Sequence, residues 1–70
     1  MGPAYGALAE MLEKVRDRVQ REPGRSQPER AALYAEIVNG PALRLLAEGR
    51  PEAAETLVEE LVRRWIESRR

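Results

Sequence analysis

Proline and glycine meet at three internal places in this chain, and they divide it before any other feature is read. Glu22-Pro23-Gly24-Arg25, Asn39-Gly40-Pro41 and Gly49-Arg50-Pro51 each combine a residue that cannot continue a helical hydrogen-bond ladder with one that tolerates unusual backbone angles. The segments between these breaks carry apolar residues three and four apart, the spacing of a helix with one buried face. No segment alternates apolar and polar residues with β-branched enrichment, so no strand is expected. The chain reads as all-α, a small helical bundle of three to four helices. They cover about residues 4–21, 27–39, 41–48 and 51–68 of one domain.

In the first helix Tyr5, Leu8, Leu12, Val15 and Val19 make one apolar stripe, and Met11 widens it. Ser26-Gln27-Pro28-Glu29 fits a capping box at the start of the second: the Ser26 hydroxyl accepts from the backbone three residues on, and Glu29 reaches back. Leu33, Tyr34, Ile37 and Val38 form the apolar face that follows. Pro41 would clash with the carbonyl of Ile37, so a break or a sharp kink is expected there. Pro41 can instead open a short third helix that buries Leu43, Leu45 and Leu46 and ends at Gly49. The alternative is one kinked helix from 27 to 48. Pro51 sits where a first helical residue tolerates proline, with Glu52 and Glu55 near the positive end of the helix dipole. The last helix carries Ala53, Ala54, Leu57, Val58, Leu61, Val62, Trp65 and Ile66, a doublet every four residues. A face that wide predicts two neighbours rather than one.

Length makes the second neighbour matter. A chain of 70 residues buries only about 60% of its unfolded surface, and small domains usually need a disulfide, a metal or a partner chain. There is no Cys and no His, so disulfides, thiolate zinc sites and imidazole ligands are excluded. Self-association is the remaining staple. A homo-oligomer, first of all a dimer, is expected through Leu57, Val58, Leu61, Val62, Trp65 and Ile66.

The same absences weigh against catalysis. The chain has two Ser, one Thr and one Asp, and no His to activate a hydroxyl. Carboxylate neighbours such as Glu55 and Glu59 read as a solvated helix face. No catalytic, cofactor-binding or metal-ligating residue is assigned, and no enzyme is expected. The zero net charge is uneven: residues 1–30 carry +1, residues 31–60 carry −4 and residues 61–70 carry +3. Arg63, Arg64, Arg69 and Arg70, beside Trp65, are candidate phosphate contacts. Cations near a helix C-terminus also complement its dipole. A helix-turn-helix over residues 28–48 would need Ala42-Leu43-Arg44-Leu45-Leu46-Ala47 to read DNA, and that segment is mostly apolar. There is no apolar run of about 18 residues and no secretory signal pattern, so no membrane partner and a cytoplasmic location are expected.

The stretch Gly40-Pro41-Ala42-Leu43-Arg44-Leu45-Leu46-Ala47-Glu48-Gly49-Arg50-Pro51, followed by Leu57-Val58 and Leu61-Val62, resembles the C-terminal ligand-binding and dimerisation domain of tetracycline-repressor-type regulators. There a helix with a Gly-Pro and an Arg-Leu-Leu run leads through a Gly-x-Pro turn into the last helix of the dimer interface. The resemblance covers residues 40–66 and implies dimerisation by the last helix. That family's DNA-binding helices have no counterpart in this sequence, and no DNA-contact or ligand residue is carried over. The sequence thus reads as a non-catalytic helical interaction or assembly module, an accessory or regulatory protein. One alternative is a small nucleic-acid-associated regulator using the Arg-rich end. Another is a designed bundle, which the irregular Asn39-Gly40-Pro41 break argues against.

Overall fold

The computed structural model describes residues 3–68. Among them are four helices and no strand: α1 Pro3–Arg21, α2 Gln27–Asn39, α3 Ala42–Ala47 and α4 Pro51–Glu67. The described residues fill 35 × 20 × 17 Å, the long dimension set by the 19 residues of α1.

Each boundary has a local cause. The Ser26 side chain accepts from the Glu29 backbone N–H at 3.4 Å, and the Glu29 carboxylate accepts from the Ser26 N–H at 3.0 Å. Both halves of the capping box are therefore made, and Pro28 sits inside the first turn of α2, where its missing N–H removes no bond. α2 and α3 are separate helices, not one kinked one. α2 ends where the Gly40 N–H turns back to the Ile37 carbonyl at 3.4 Å, and Pro41 stands just before α3. α3 ends in a Schellman motif: Arg50 N–H reaches the Leu45 carbonyl at 2.8 Å, and Gly49 N–H reaches Leu46 at 3.1 Å. Gly49 takes φ of +77° there, and Gly24 takes +78° between α1 and α2, angles that strain any residue with a Cβ.

The core draws on all four helices. Leu8, Met11, Val15 and Val19 come from α1, Leu33 and Ile37 from α2, Ala42 from α3, and Ala54, Val58 and Val62 from α4. No polar or charged residue joins this cluster. Leu43, Leu45 and Leu46 of α3 pack around this cluster half-buried, so the short helix acts as a lid on α1 and α4 rather than a core element of its own.

Candidate functional site

Two surfaces remain once the core is filled. The first is the C-terminal half of α4. Its doublet pattern splits: Val58 and Val62 turn into the chain's own core, while Leu57, Leu61, Trp65 and Ile66 lie half-buried at its margin. The second neighbour that the wide face calls for is thus partly supplied within the chain, by α3 and by the connection after α1.

That connection contributes a side chain that the sequence pattern did not single out. Arg25 projects from the loop onto α4, with its guanidinium carbon 4.2 Å from the centroid of the Trp65 ring. Its terminal nitrogens donate to the Trp65 carbonyl, to Ser68 Oγ at 2.8 Å and to Glu29 Oε2 at 3.3 Å. Only 7% of the side chain is exposed. Its Nε is buried with no hydrogen-bond partner among the described residues. Ser68 Oγ in turn donates to the Trp65 carbonyl at 2.7 Å. Arg30, from the first turn of α2, does similar work at the end of α1. It donates to the carbonyl of Val19 at 3.3 Å, which also accepts the Glu22 backbone N–H, and to the carbonyl of Glu22 at 3.3 Å, beyond the end of the helix.

Arg63 and Arg64 are exposed, and both guanidiniums are held by carboxylates. Arg63 Nη2 lies 2.6 Å from Glu60 Oε1, and Arg64 Nε lies 3.0 Å from the same oxygen. Arg63 Nη1 is also 3.7 Å from Glu67. The hydrogen bond from Arg63 is the main reason the Glu60 carboxyl sits below the usual carboxylate range, with a second bond from Arg64 adding to it. The reciprocal bond holds the Arg63 guanidinium above its ordinary value. A lowered carboxylate stabilises the fold above the ordinary Glu range, and the contribution is lost as pH falls through the lowered value. Arg69 and Arg70 lie outside the described residues.

The second surface runs between α1 and α2. Leu12, Glu13, Arg16, Gln20 and Tyr34 line a groove of about 380 Å³, with Gln20 Nε2 donating to the Tyr34 hydroxyl at 3.4 Å. Among the described residues no group of three or more acidic, Cys or His side chains is placed to hold a metal ion. No described helix is long and apolar enough to cross a membrane.

Comparison with known proteins corrects the resemblance to tetracycline-repressor-type regulators. The family described as the sirohaem synthase dimerisation region matches residues 4–62, from the first turn of α1 to the last core residue of α4. The Gly-Pro and Gly-x-Pro spacings behind the earlier resemblance are helix-break chemistry, which any chain of short helices needs at its turns. No curated protein and no solved structure matches the chain. A family region that spans nearly all of the four-helix core, and is named for dimerisation, makes this an oligomerisation module, and the chain belongs to the sirohaem synthase dimerisation region family.

Proposed function

We propose that this chain is a non-catalytic assembly module that joins two copies of the polypeptide carrying it, as an accessory to whatever that polypeptide does. The observation that carries the reading is the match of residues 4–62 to a dimerisation region. Two physical features support it. The core is small, its largest fully buried side chains being Ile37, Val19, Val58 and Val62, and the chain has neither Cys nor His to reinforce it. Apolar surface is also left over: Tyr5 and Val38 are exposed among the described residues. The nucleic-acid alternative gains nothing from Arg63 and Arg64, whose charges are met by Glu60 and Glu67. Light scattering on the purified chain tests the reading. The expected mass is twice 7.9 kDa at micromolar concentration. A cooperatively folded monomer throughout that range would overturn it.

A further inference from the structure

Tyr5 is 51% exposed and Val38 39%, and neither is on α4. Tyr5 and Leu12 are seven residues apart, so they share one stripe of α1. Tyr34 and Val38 are four apart and share one stripe of α2. The bond from Gln20 to Tyr34 ties α1 to α2 here, and Leu12 and Tyr34, one from each stripe, line the groove between them. Glu13 and Arg16 stand on its rim. Both are exposed, and neither forms an ion pair with another described residue. The contrast with α4 is informative, because there the outward cations Arg63 and Arg64 are already paired with Glu60 and Glu67.

We infer that the α1–α2 groove receives a second copy of this chain, packed about a two-fold axis that passes between Glu13 and Arg16. The inference rests on the assembly reading and names the surface that performs it. A two-fold contact places the same patch on both sides, so the patch must complement itself. Two antiparallel α1 helices crossing midway between residues 13 and 16 set Glu13 against Arg16 of the partner subunit, and Arg16 against the partner's Glu13. Leu12 and Tyr34 then form the centre of the contact inside a charged rim, with the exposed Val38 one turn further along the α2 stripe, the usual layout of a protein interface. Area is sufficient. A standard interface takes about 800 Å² from each partner, roughly a sixth of the 4870 Å² surface. The family match, residues 4–62, includes every residue lining the groove and stops before Trp65, so the groove lies within the region named for dimerisation.

Charge swapping tests the surface. The dimer dissociation constant is measured by sedimentation equilibrium for the native chain, Arg16→Glu, Glu13→Arg with Arg16→Glu together, Val38→Glu and Leu57→Glu, with far-UV circular dichroism on each. Arg16→Glu and Val38→Glu should weaken the dimer about ten-fold or more with helicity intact, since both positions are exposed. The double swap restores opposed charges across the axis and should return the constant most of the way to native. Unchanged dimerisation in both single variants would overturn the groove as the contact. So would failure of the double swap to improve on Arg16→Glu, or loss of the dimer in Leu57→Glu alone. A native chain that is monomeric at the outset sinks the assembly reading itself, which separates that failure from a wrong choice of face.

Discussion

Arg25 concentrates more long-range structure than any other charged side chain described. It joins the loop after α1 to the last turns of α4 through a ring contact, a bond to the Trp65 carbonyl and a bond to Ser68. A surface arginine forms such contacts at little gain, because water competes for the guanidinium. Here only 7% of the Arg25 side chain is exposed, so water has little access to the ring contact and the bond to the Trp65 carbonyl, while the Ser68 bond lies at the surface. Arg25→Met keeps the apolar stem and removes the plane and its donors. It should lower the unfolding free energy by about 1–3 kcal/mol, measured by urea denaturation, and shift Trp65 emission to longer wavelength as water reaches the ring. Arg25→Lys should recover only part of the loss, because an ammonium cannot stack on the indole and bridge two α4 acceptors together. The sequence contains eleven arginines, and nothing in the neighbours of Arg25 marks it. Its partners lie 40 and 43 residues away, so only the packed fold selects it.

At the scale of elements, signals confined to four or five residues are legible in the sequence. The capping box is the clearest case, since Ser26 and Glu29 make their bonds to one another's backbone without help from the rest of the chain. Ser26→Ala should cost about 1 kcal/mol, within the 0.5–2 kcal/mol range for lost caps, with the loss read as a lower urea midpoint at unchanged slope. Glu29→Gln keeps an amide oxygen to accept from the Ser26 N–H, so its loss should come mainly from the ion pair with Arg25 rather than from the cap. The all-α class is legible for the same reason: helical spacing and Pro-Gly breaks are local. What each face of a helix meets is not local. α4 reads as one broad apolar band, yet the structure divides it, with Val58 and Val62 inward and Leu57, Leu61, Trp65 and Ile66 at the margin. The division depends on where α3 and Arg25 settle, and neither position is written in the spacing of α4. The arginine-rich end is the opposite case: spacing alone puts Glu60 beside Arg63 and Arg64, and the charges close on each other at i, i+3 and i, i+4.

For the whole molecule, the question is how so small a core stays folded. Ten buried residues, among them two alanines, fill the centre of the described chain, and conformational entropy opposes them at more than 1 kcal/mol per residue. A second copy adds burial without adding sequence, and it ties stability to concentration, because only the folded state associates. If folding and dimerisation are one transition, a ten-fold rise in concentration adds about 1.4 kcal/mol per mole of dimer. Spread over the unfolding entropy of 140 residues, at roughly 2 cal/mol/K each, that raises Tm by about 5 °C. Thermal unfolding followed by circular dichroism at 2, 20 and 200 µM reads this slope directly. The native chain should show it, and Val38→Glu should flatten it while lowering Tm at the highest concentration most, because that is where the native dimer is most populated. An intramolecular defect behaves differently: Arg25→Met, which acts inside one chain, should lower Tm by a similar amount at all three concentrations. The two variants thus separate what a single chain supplies from what its partner supplies, and a native Tm that ignores concentration would assign the whole of the stability to the four helices alone.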